Sequence, residues 1–149
     1  MKTIKRPLLM ILLFSAIVLL AACGSEESPS EEEPARVEKV EGTEFNRVTL
    51  TERAAERLDI RSEAVREMAL DGRTLLVVPY SAILYGLNGE TWTYIRNPGE
   101  TSLTFVRQPI VVDRIEGGLA FLSDGPAVGI QVVTVGASLL YGADTGVGK

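Results

Sequence analysis

The chain of 149 residues contains no histidine. That removes the side chain most often used as a general base or metal ligand near neutral pH. A single cysteine rules out an internal disulfide, so the fold has no cross-link and rests on its hydrophobic core. Methionine is scarce as well: Met1 and Met10 lie in the N-terminal apolar stretch, leaving only Met68. A methionine-based copper or silver site is therefore not supported. Positive charge is in deficit, with 15 basic against 20 acidic residues. This balance argues against nucleic acid as a partner and against a polybasic membrane patch. Acidic residues are plentiful, but Asp113, Glu116 and Asp124 fall at predicted turns, where solvated carboxylates are expected rather than a hydrolytic pair or a calcium site. No set of nucleophile, base and metal ligands assembles. The sequence predicts a protein that is not an enzyme and carries no cofactor or metal.

What is present begins at the N-terminus. Lys2, Lys5 and Arg6 precede an apolar run over residues 8–20, which is followed by Ala21, Ala22 and Cys23. A basic start, a short apolar middle and small residues at the end form a secretory signal sequence. The apolar run is shorter than the roughly 20 residues of a membrane-spanning helix. Leu20-Ala21-Ala22-Cys23 resembles the lipobox of bacterial lipoproteins. That resemblance implies diacylglyceryl transfer to the Cys23 thiol and cleavage before it, so residues 1–22 are expected to be a signal peptide. Two or more acyl chains make a stable anchor. The expected location is extracytoplasmic, tied by lipid to the membrane, with the outer face of the cytoplasmic membrane favoured. Loss of three basic residues would move the formal charge from −5 to about −8.

Between Gly24 and Pro34 the chain is built from Glu, Ser and Pro, without a large apolar residue. Such a segment cannot bury enough surface to offset its ordering entropy, and its charges keep it extended. Residues 23–45 are thus expected to be an acidic linker, its last part transitional. About 100 residues remain, the size of one domain.

Residues 46–141 read as that domain. Val48 and Leu50 suggest a strand, and Thr51 a helix N-cap followed by Glu52, Ala54, Ala55 and Leu58. Residues 59–67 alternate unevenly, as a strand. Asp71-Gly72, Asn88-Gly89, Asn97-Pro98-Gly99, Glu116-Gly117-Gly118 and Gly125-Pro126 mark turns. Strands are expected at residues 75–78, 82–85, 92–95, 103–112, 119–122 and 131–135. Pro109 lacks a ladder N–H, so the long strand containing it should be an edge or carry a bulge. The spacing predicts a mainly β domain: a small barrel or sandwich of short antiparallel strands with one short helix. Residues 142–149 are glycine-rich and expected to be a flexible tail. Their final Gly-Lys does not make a phosphate-binding loop, because the first glycine of that motif should stand where Ala143 does.

Three stretches resemble periplasmic adaptor subunits, or membrane fusion proteins, of efflux systems. Val78-Pro79-Tyr80-Ser81-Ala82-Ile83 is similar to the family's V-P-x-x-A-[LIV] segment, and Glu90-Thr91-Trp92-Thr93-Tyr94-Ile95 to its aromatic strand. Residues 125–136 resemble the closing G-L-x-x-G-D-x-V-V-x-x-G motif, with Asp124-Gly125-Pro126 in place of Gly-Leu and Ile130 in place of the acid. Upstream, Val48-Thr49-Leu50-Thr51 and the segment ending Leu58-Asp59-Ile60 are similar to the adaptor N-terminal strand and its x-x-L-G-I. In those adaptors a lipoyl-like domain and a long helical hairpin separate these regions. Here only residues 61–77 do, too few for either module. The resemblance implies the membrane-proximal domain alone, a module that contacts an inner-membrane transporter permease of ABC or RND type. The alternative is a free-standing lipoprotein that binds a small ligand. Trp92 and Tyr94 are assigned to the core. Tyr80, Tyr85 and Tyr141 remain as a candidate partner surface, since aromatics with a polar handle favour interface centres. Arg96, Arg107 and Arg114 are expected as solvated strand-face charges or partners for acidic groups.

Overall fold

The computed structural model describes residues 33–96 and 103–146. Cys23, the signal-like stretch and the acidic segment as far as Glu32 lie outside the described residues, as does the predicted turn Asn97-Pro98-Gly99. Among the described residues the chain is mainly β, with short antiparallel strands in two sheets, neither closed into a barrel. No described helix is long and apolar enough to cross a membrane.

The first sheet has the order β1 (Ala35–Lys39), β2 (Asn46–Leu50), β8 (Leu103–Pro109), β7 (Thr91–Arg96), β11 (Gln131–Val135) and β3 (Arg61–Ala64), with β6 (Leu84–Tyr85) also paired to β7. The second has the order β4 (Arg66–Leu70), β5 (Arg73–Pro79), β10 (Leu119–Asp124) and β9 (Val111–Glu116). One residue carries the chain between sheets at each of two places. Val65 separates β3 from β4, and Ile110 separates β8 from β9. Both are buried in a cluster that includes Val132 of the first sheet and Val78, Ala120 and Leu122 of the second. The sheets therefore share a core.

Period-two alternation sorts the side chains. In β11, Val132 joins that shared cluster while its neighbour Val133 faces the opposite side. On that side Val48, Leu50, Tyr94 and Phe105 pack under two helices, α1 (Glu52–Arg57) and α2 (Ala137–Thr145). Thr51 caps α1 as expected, its Oγ1 accepting from the Ala54 N–H at 3.2 Å. The turn Asp71-Gly72 has positive φ at both residues, as does Gly117-Gly118, and each joins an antiparallel hairpin.

Three expectations change. Order begins at Ala35 rather than Asn46: β1 pairs with β2 from Ala35 opposite Leu50 to Lys39 opposite Asn46. Its charged alternate residues resemble linker, but Ala35 and Val37 tuck under the first cluster. Pro109 does not sit inside a long edge strand. It ends β8, a central strand, opposite Trp92, and Ile110 then donates to the Thr91 carbonyl as the chain leaves for the second sheet. Finally, residues 142–146 are not a loose tail. They continue α2, whose Ala137, Leu140, Tyr141 and Asp144 share one face at helical spacing, and Gly146 ends it in the left-handed conformation.

Candidate functional site

Two surfaces collect the chemistry-bearing side chains. The first is built around Arg107 on β8. Trp92 on β7, Phe45 in the loop just before β2, and Tyr141 from α2 place their ring centroids 5.3, 5.4 and 5.4 Å from the guanidinium carbon. These distances are within the range of cation–π attraction. Asp144, one turn along α2 from Tyr141, brings its Oδ2 to 2.6 Å from Arg107 Nε. The N–H does not point along that line, so the contact is an ion pair rather than a directed hydrogen bond. Tyr94 donates its hydroxyl to the same oxygen at 2.6 Å, and Asn46 donates Nδ2 to Oδ1 at 2.9 Å and to the Asp144 carbonyl at 3.1 Å. The Asp144 side chain is fully buried and that of Arg107 is 13% exposed.

Burial, then donation to Asp144, pushes the Tyr94 hydroxyl far above the ordinary phenol range, so it stays a donor at any ordinary pH. Three strands, β2, β7 and β8, and the helix α2 are thus tied through one carboxylate. Beside Arg107 runs a groove of about 690 Å³, lined by Phe45, Trp92 and Arg107, by the acidic Glu44 and Glu90, and by the apolar Pro109 and Val111 among others.

The second surface belongs to the hairpin between β6 and β7. Gly86 donates to the Glu90 carbonyl at 2.8 Å, and Gly89 to the Gly86 carbonyl at 3.2 Å. The Glu90 carboxylate accepts from Asn88 N at 3.1 Å and Asn88 Nδ2 at 3.0 Å, and the Asn88 side chain holds its ionisation below the usual carboxylate range. A β-carbon at Gly86 would lie 2.5 Å from the Trp92 ring, so only glycine admits this close approach. This well-bonded turn carries Leu87 wholly into solvent. Tyr85 on β6 and Tyr80, which opens the short 3-10 turn Tyr80–Ala82, stand exposed beside it at 55% and 46%. The Tyr85 phenol is raised above its ordinary value by desolvation and then by its neighbour Tyr80.

The structure thus brings Tyr80 and Tyr85 together and gives Tyr141 another role, as one wall of the Arg107 cage. Arg107 is buried and paired, not a solvated strand-face charge. Arg114 ion-pairs with Asp71 at 2.9 Å, and Arg96 is exposed. Asp144 and Asn46 were missed as site residues. The helical spacing of Ala137, Leu140 and Tyr141 ahead of Gly146 carried the signal for Asp144. Among the described residues no group of three or more carboxylate, cysteine or histidine side chains is placed to hold a metal ion. Comparison with protein-family models, curated proteins and solved structures finds no match.

Proposed function

We propose that this chain is a lipid-anchored, extracytoplasmic and non-catalytic adaptor-like module that docks on an inner-membrane transporter permease of ABC or RND type. One observation carries the reading: Tyr80, Tyr85 and Leu87 stand exposed together on a hairpin whose tip is already ordered by its own hydrogen bonds. An isolated exposed leucine is ordinary on protein surfaces. A leucine at a rigid tip beside two exposed tyrosines is an anchor with little ordering entropy left to lose on binding. The partner class comes from the resemblance of the Val78–Ile83, Glu90–Ile95 and closing segments to adaptor sequences.

The tether fits this role. Lipid on Cys23 and the 11 residues onward to Pro34 would hold the domain within about 40 Å of the bilayer, the reach of an extended chain. A membrane protein's extracytoplasmic surface lies within that distance. The test is affinity capture of the tagged full chain from solubilised host membranes, beside a Leu87→Asp variant. A permease should be recovered with the parent chain and lost with the variant. Recovery of no transporter above background overturns the proposal.

A further inference from the structure

Arg107 offers more hydrogen-bond donors than its neighbours use. A guanidinium has five N–H groups. Only Nε faces Asp144, while the rings of Phe45, Trp92 and Tyr141 surround the group without accepting from its edge. Nη1 and Nη2 make no hydrogen bond among the described residues, and unlike Nε neither is sealed from solvent. Arg107 is among the residues that line the groove. A free arginine must be ordered before it grips a ligand. This one is already held by an ion pair and three rings, so that entropic cost has been met in folding.

We infer that the groove binds a small zwitterionic carboxylate, of the amino-acid or short-peptide class. Its carboxylate sits on Nη1 and Nη2 of Arg107 and its ammonium lies towards Glu44 and Glu90. The free edge of a guanidinium matches a planar carboxylate with two parallel hydrogen bonds. A bare anion is disfavoured, because buried Asp144 already balances Arg107 while Glu44 and Glu90 add negative charge to the lining. A bare cation would leave the Nη donors unused. A ligand carrying both charges meets both ends, and the apolar side at Pro109 and Val111 takes its side chain. This site shares Gly89 and Glu90 with the hairpin that carries Leu87, but ligand binding there does not depend on a transporter partner, so either proposal can fail alone.

Trp92 is the only tryptophan of the chain and stacks 5.3 Å from the Arg107 guanidinium carbon, so its emission reports on the site. The full chain, extracted in detergent, is titrated with leucine, leucyl-leucine, N-acetyl-leucine and leucinamide. Leucine or leucyl-leucine should change Trp92 emission saturably, with leucinamide at least about tenfold weaker, the loss expected when a charged hydrogen-bond partner is removed. Arg107→Lys should weaken the carboxylate ligands by a similar factor. Glu44→Gln, at an exposed position, leaves the fold intact and should weaken leucine while leaving N-acetyl-leucine unchanged or tighter. The inference is overturned by no saturation up to concentrations on the order of 50 mM, or by leucinamide binding as tightly as leucine. If Arg107→Lys does not fold, the Glu44 arm decides: an equal response of both ligands to Glu44→Gln also overturns it.

Discussion

Asp144 and Arg107 meet at 2.6 Å under a lid of aromatic rings, with the carboxylate fully buried and the guanidinium nearly so. The pair joins the last helix to a central strand, and Tyr94 and Asn46 complete the carboxylate's hydrogen bonding. Removing one member of a buried pair leaves the other charge without compensation, which costs more than the pair itself contributes. Asp144→Ala should therefore lower unfolding free energy by about 3 kcal/mol, read by chemical denaturation.

Tyr94 sets the alkaline limit of stability. Its folded-state ionisation lies above the ordinary value, because burial and then the bond to Asp144 favour the neutral phenol. Above about pH 10 the unfolded chain releases this proton and the folded chain keeps it, so stability is full below that pH and falls as pH rises through it. Tyr85, raised in the same direction, adds to the fall. Tyr94→Phe should be less stable at pH 7 yet lose less between pH 9 and 11, as followed by midpoint denaturant concentration.

Gly136 opens α2 at a φ of +84°, and a β-carbon there would lie 2.3 Å from Ile60 Cδ1. Gly136→Ala meets both penalties and should destabilise by more than about 1 kcal/mol. Adding Ile60→Val should recover part of the loss, because it removes the contact and leaves the backbone strain. Unfolding curves of the single and double variants check this.

Leu87→Asp changes a residue that is wholly exposed. Its unfolding free energy should stay within about 0.5 kcal/mol of the parent, while recovery of the transporter partner is lost. An equal loss of stability would make the hairpin tip structural instead.

Cys23→Ala should accumulate as an unlipidated precursor that still carries residues 1–22, read by intact mass. Intact mass of the membrane-extracted parent should exceed that of residues 23–149 by the acyl and glyceryl groups. A parent mass equal to the unmodified chain would remove the anchor from the proposal.

Local signals in the sequence were read well. An Asp-Gly and a Gly-Gly pair, both at positive φ, placed the hairpin turns at Asp71-Gly72 and Gly117-Gly118, and Thr51 placed the start of α1. Each of these depends on one or two residues and their own backbone preferences. β1 was hidden because its charges sit on the outward positions and only Ala35 and Val37 report its inner face. The end of α2 was hidden by glycines that read as a tail, although Gly146 is the helix stop.

By itself the sequence determined the strand-and-turn rhythm of a mainly β domain, because alternation and turn chemistry act over neighbouring residues. Only the tertiary structure decided that Pro109 closes a central strand, that the chain changes sheets at Val65 and Ile110, and that Arg107 is caged and paired. Asn46 and Asp144 lie 98 positions apart, and Tyr94 and Asp144 lie 50 apart. Such meetings depend on packing a helix against distant strands of one sheet, which no local pattern of residues records.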